Sequence, residues 1–98
     1  MAYRIKLTPI ATIELKDSID YYSNINRRVA QDFLSRISDM LDDIEQEPFH
    51  YREIGKGFRQ VPVHKFAFVI IYEIIAETVA VHSFLHTSRN PNQKPPKT

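Results

Sequence analysis

The 98 residues predict an α+β fold: an N-terminal strand, an antiparallel helical hairpin, then three antiparallel strands that complete one twisted sheet of about four. Three observations carry this. Tyr3, Ile5 and Leu7 alternate with Arg4, Lys6 and Thr8, the period of a half-buried strand. Two stretches between Pro9 and Glu47 repeat their apolar residues at helical spacing. Phe66 to Ile75 is almost continuously apolar and β-branched or aromatic, followed by a second such run from Thr78 to Phe84.

That last pair reads as a hairpin turning at Ala76-Glu77, and the remaining chain is organised around it. A long strand apolar on both faces belongs inside a sheet, so it requires partners on both edges and a cover on each side. The first helix opens at Thr8-Pro9, a side-chain cap followed by a residue whose missing N–H is harmless at the first position. Ala11, Leu15, Ile19 and Tyr22 form its stripe, and polar Ser23 to Arg28 reads as the link. The second helix runs from about Arg27 to Glu47, with Val29, Phe33, Ile37, Met40 or Leu41, and Ile44 on one side, until Pro48 stops it. Phe49 to Lys56 reads as irregular, with Gly55 and Gly57 bracketing Lys56 before a strand from Phe58 to Val63. The expected core includes Leu15, Ile19, Tyr22, Phe33, Ile37, Phe68, Ile70, Tyr72 and Val81. Residues 1–89 are expected to form one domain, and 90–98, which lack apolar residues, a mobile tail.

Composition excludes some chemistry. There is no cysteine, hence no disulfide and no thiolate zinc site. No apolar run has the length of a membrane span and the first residues lack a signal-peptide core, so a soluble, cytoplasmic protein without membrane contact is expected. The net charge of +1 hides an asymmetry: six Lys or Arg against nine Asp or Glu through Pro48, then seven against three, with all four histidines in the second part. Such a basic half could meet nucleic acid, or it could be ordinary surface scatter.

Taken in order, A-T-I-E-L-K-D-S-I-D-Y-Y from Ala11 to Tyr22, Phe33, Glu47-Pro48, Arg59, K-F-A-F-V-I-I-Y-E-I from Lys65 to Ile74, and His86 with Arg89-Asn90-Pro91 resemble the RelE/ParE toxins of bacterial type II toxin–antitoxin modules, more closely on the ParE side. The resemblance implies a growth-inhibiting toxin neutralised by a cognate antitoxin, with a toxin–antitoxin heterotetramer as one expected assembly. ParE-like members are taken to act on DNA gyrase without catalysis of their own. RelE-like members look like ribosome-dependent messenger RNA endonucleases. A third reading is a non-toxic interaction domain that kept the fold. No cofactor and no metal are implied.

Cutting RNA without a metal requires groups to take and return a proton and a cation at the phosphate. His64, His82 and His86 have the right pKa range for the first, and Arg59 and Arg89 the right donor fork for the second. The residues implied as catalytic, on the RelE-like reading only, are Arg59, His86 and Arg89; those implied for target binding are Lys56, Arg59, Lys65 and Arg89. His82, flanked by apolar residues, also reads as packed core, and His64 as a solvated turn residue. A two-residue loop at Ala76-Glu77 pairs Ala67 with His86 and sets His82, Phe84 and His86 on the face of Ala67, Val69 and Ile71. A two-residue turn at His64-Lys65 then places Arg59 on the opposite face, whereas a three-residue turn or a bulge near Pro62 brings it alongside the histidines.

Overall fold

A computed structural model describes residues 3–63 and 65–87. The element order is β1 (Arg4–Leu7), α1 (Pro9–Ile25), α2 (Arg27–Gln46), β2 (Glu53–Gly55), β3 (Phe58–Val63), β4 (Phe68–Ile75) and β5 (Thr78–His86). These strands form a single five-stranded sheet in the order β1-β5-β4-β3-β2. The long apolar strand is central, as its composition requires.

Two features of the sheet differ from the expected one. β1 lies parallel to β5, Arg4 opposite Thr78 and Leu7 opposite Val81, so the sheet is mixed and not wholly antiparallel. The fifth strand, β2, falls in the stretch read as irregular; it is three residues long and pairs with β3 through a register shift between Glu53 and Gly55. So short a segment leaves no period to read. Its turn to β3 places Gly55, Lys56 and Gly57 at φ 132°, 53° and 84°. Two glycines make that run of positive φ affordable, and Lys56 at its tip is the residue under strain.

The helices form the expected pair, with a tighter link. Thr8 caps α1 by accepting from the Ala11 N–H at 3.1 Å, with Pro9 at the first position. Asn26 alone joins the helices: its N–H donates to the Tyr22 carbonyl at 2.8 Å, ending α1, while its Oδ1 accepts from the Arg28 N–H at 2.8 Å, starting α2. One residue serving as both caps replaces the six-residue link that Ser23 to Arg28 suggested.

The helical pair covers the sheet face carrying Val61, Val63, Phe68, Ile70, Tyr72, Val79, Val81 and Phe84, against which Ala11, Phe33, Ile37 and Ile44 are buried. Leu15, Ile19 and Tyr22 pack at the margin of this core, half-buried. The opposite face holds Val69, Ile71 and Glu73, all half-buried, and among the described residues no helix lies over it. The central strand is thus covered on one side by helices and on the other only by neighbouring side chains, contrary to the expectation of two covers.

Register decides where the site residues go. β3 and β4 pair Val63 with Phe68 and Arg59 with Tyr72, so the paired strands stand four residues apart in sequence. β4 and β5 pair Ile75 with Thr78, but between Ile71 and Tyr72 the register slips by one residue at His82, so Phe68 and not Ala67 faces His86. The bulge rotates Phe84 and His86 onto the helix-covered face and leaves His82 on the other. Arg59 and His86 therefore share a face, through a bulge in β5 and not near Pro62.

Candidate functional site

The candidate residues gather at two opposite ends of the sheet. At one end stands Arg59, whose side chain is 16% exposed. Its Nη1 donates to the Tyr51 carbonyl at 2.6 Å, its Nη2 lies 3.7 Å from Glu53 Oε1, and its guanidinium carbon sits 5.1 Å from the Phe49 ring centroid. Glu53 Oε2 also accepts from the Gly57 N–H at 3.1 Å, so one carboxylate steadies both the arginine and the turn that presents exposed Lys56. Beside them the Tyr72 hydroxyl donates to the Pro48 carbonyl at 2.6 Å. Burial pushes the Tyr72 phenol up to about 12, with Arg59 opposing part of that rise. Tyr51 is raised for the same main reason, helped by Asp43.

At the other end are Lys65 and His86. Lys65 is exposed at φ 74° in the loop between β3 and β4, and the Thr87 N–H donates to the Ala67 carbonyl at 2.8 Å to close β5 against that loop. The His86 ring lies edge-on to Phe68 at 4.6 Å and to Tyr21 at 6.0 Å. Tyr22, Phe33 and Phe66 continue this aromatic group inward. A shallow cleft of about 280 Å³ opens next to it, lined by Asp32, Ser35, Arg36, Asp39, Lys65 and Phe66.

The two ends do not meet. Arg59 faces Tyr72 and His86 faces Phe68, four residues apart along β4 and two strands apart across the sheet. With ~3.3 Å per residue and ~4.8 Å per strand this is a backbone separation of about 16 Å, with buried Ile70 and Phe84 between them. Lys56 and Lys65 likewise stand at opposite ends of β3, about 20 Å apart along the strand. His64 and Arg89 lie outside the described residues.

Sequence reasoning missed one pair: the bulge sets His82 Nε2 3.0 Å from Glu73 Oε1, with Phe58 stacked edge-on to the ring at 5.2 Å. His82 is hydrogen-bonded but only half-buried, on the face without helices, and is not the core residue its apolar neighbours suggested. It also missed Tyr21 beside His86; the adjacent Tyr21-Tyr22 pair was the available signal, one ring facing the core and the other the strand end. Among the described residues no cluster of three His, Asp or Glu is arranged to hold a metal ion, and no helix is long and apolar enough to cross a membrane.

A strand, a helical hairpin and a five-stranded mixed sheet define a small α+β protein. The family model described as ParE toxin of the type II toxin–antitoxin system, parDE, matches residues 5–91, and the chain belongs to that family. Among solved structures it is similar to a chain of the chromosomal ParDE toxin–antitoxin system from P. aeruginosa, with a TM-score of 0.75 and 15% identity over 87% of this chain and 96% of that one. At that identity the likeness is one of fold. No curated protein sequence matches this chain.

Proposed function

We propose that this chain arrests bacterial growth by binding DNA gyrase, without catalysis of its own, and that a cognate antitoxin encoded beside it holds it inactive in the cytoplasm, with a toxin–antitoxin heterotetramer as the stored form. The observation that carries the choice of target is the state of Arg59. A ribonuclease needs a cation free to meet the phosphate and a proton-transfer group beside it. Here the guanidinium is taken up by the Tyr51 carbonyl, Glu53 and Phe49, and His86 is about 16 Å away on the strand geometry. A binding toxin needs only a presented surface, which Lys56 and Lys65 offer at exposed ends of the chain's elements.

Two assays on the purified chain test this. Supercoiling by gyrase should stop while messenger RNA on translating ribosomes stays intact. Cleavage of that RNA, lost in Arg59→Ala or His86→Ala variants that still fold, would instead establish the endonuclease reading. Normal growth when the chain is induced without its neighbour would leave only a non-toxic interaction domain.

A further inference from the structure

The cleft beside the loop between β3 and β4 is lined by charges without partners. Asp32, Ser35, Arg36 and Asp39 line it from α2, and Lys65 and Phe66 line it from the loop. Among the described residues none of the four charged side chains forms an ion pair. At about 280 Å³ the cleft is small for an organic ligand, and its walls are charged where such a ligand wants apolar contact. A phosphate is no better matched. It offers only acceptors, which suit Arg36 and Lys65 but leave Asp32 and Asp39 facing more negative charge. A cationic peptide satisfies both sets: its side chains donate to the carboxylates, and its backbone carbonyls accept from Ser35, Arg36 and Lys65.

The chain itself supplies such a segment. Thr87, the last described residue, is bonded to the loop that forms one wall: its N–H and its Oγ1 both donate to the Ala67 carbonyl, at 2.8 and 3.2 Å. Ala67 follows Phe66 directly, so the chain leaves the sheet one residue away from the lining of the cleft. Beyond it stand the eleven residues S-R-N-P-N-Q-K-P-P-K-T, which carry Arg89, Lys94 and Lys97 and no acidic side chain. Eleven residues reach ~34 Å when extended, whereas Asp32 and Asp39 are only ~10 Å apart along α2. Pro91, Pro95 and Pro96 limit the freedom lost on docking, and a proline-rich segment cannot bond its carbonyls internally, which leaves them for the cleft.

We propose that the segment from Arg89 to Lys94 folds back into this cleft, held by ion pairs from Arg89 and Lys94 to Asp32 and Asp39. The contact is independent of whether gyrase or RNA is the target, and while it is made Arg89 is withheld from either. Its ion pairs lie at exposed carboxylates, so docking is weak and yields to salt.

The absence of cysteine makes disulfide trapping on the full chain a direct test. Asn92→Cys is combined with Ser35→Cys in the cleft or, as the control, with Asn24→Cys. Asn24 is exposed and stands three residues beyond Tyr21, whose ring lies 6.0 Å from His86 at the same end of the sheet. An undocked tail reaches both positions; a docked one reaches only the cleft. Mild oxidation should close the Ser35→Cys pair within one chain roughly threefold to tenfold faster than the Asn24→Cys pair, a ratio set by two exposed ion pairs. The preference should vanish in about 1 M salt and in the double variant Asp32→Asn, Asp39→Asn, whose circular dichroism and melting should match the parent because both positions are exposed. Trypsin should likewise cut after Arg89 more slowly in the parent chain than in that double variant, by a similar factor. Equal closure of the two cysteine pairs, trypsin cleavage indifferent to Asp32 and Asp39, or disulfide-linked dimers in place of closed monomers, which would seat a second copy's tail in the cleft, would each overturn the proposal.

Discussion

Tyr72 and Arg59 show how far single residues can be read from their surroundings. Tyr72 is fully buried and its hydroxyl donates to Pro48, so Tyr72→Phe leaves that carbonyl without its partner, at a cost of ~1–3 kcal/mol. Tyr72→Ala or Phe68→Ala should cost ~3–5 kcal/mol through the cavity left behind, a large part of a small domain's stability. Because the Tyr72 phenol is raised to about 12 from 10.0, its neutral form is what folding favours. Its contribution is complete below pH 10 and is lost as pH climbs toward about 12. Denaturant unfolding should therefore show stability falling across that interval in the parent chain and falling less steeply in Tyr72→Phe. Arg59 ties Tyr51, Glu53 and Phe49 together, so Arg59→Ala should lower the melting temperature whereas Lys56→Ala, at an exposed tip, should not. If Arg59→Ala melts like the parent, the arginine is not the tie described.

At the scale of elements, the sequence was most legible where a period ran long. The helices and the three long strands follow from stripes and β-branched runs, and Thr8, Pro9 and Pro48 marked their limits within a residue or two. What failed were events of one to three residues: Asn26 capping two helices at once, a three-residue β2, and the slip at His82. Turn length alone leaves His86 and Arg59 on opposite faces, and the bulge that joins them has no signature in V-A-V-H-S-F. The parallel placement of β1 has a consequence the sequence did not announce. β1 ends opposite Val81, which leaves the edge of β5 beyond it open, and Glu14 of α1 fills that edge, accepting from Ser83 Oγ at 2.9 Å and from the Phe84 N–H at 3.0 Å. Glu14→Ala should expose the Phe84 amide to hydrogen exchange and cost ~1–3 kcal/mol, while Glu14→Gln, which keeps an acceptor, should recover most of it. Equal exchange at Phe84 in Glu14→Ala and the parent would show that α1 does not seal the strand.

For the whole molecule the charge asymmetry of the sequence dissolves in three dimensions. Arg4 and Lys6, counted with the acidic half, alternate onto the face without helices beside Thr78 and Ala80, since Ile5 and Leu7 pack inward. Of the cations in the basic half, Arg59 is turned in, and Lys56 and Lys65 point away at opposite ends of β3. Lys56 and Lys65 therefore do not share one basic patch, and a target that uses both lysines must span about 20 Å of the strand. Sites that far apart without a shared partner contribute independently. On the proposed gyrase-directed reading, Lys56→Glu and Lys65→Glu should each weaken inhibition of supercoiling, by ~5-fold for an exposed rim charge, and the double variant should lose the product of the two, ~25-fold. If only one lysine matters, the binding surface is confined to that end of the sheet; a double variant no weaker than either single one would mean that both act through one shared contact, which their places at the two ends of β3 forbid.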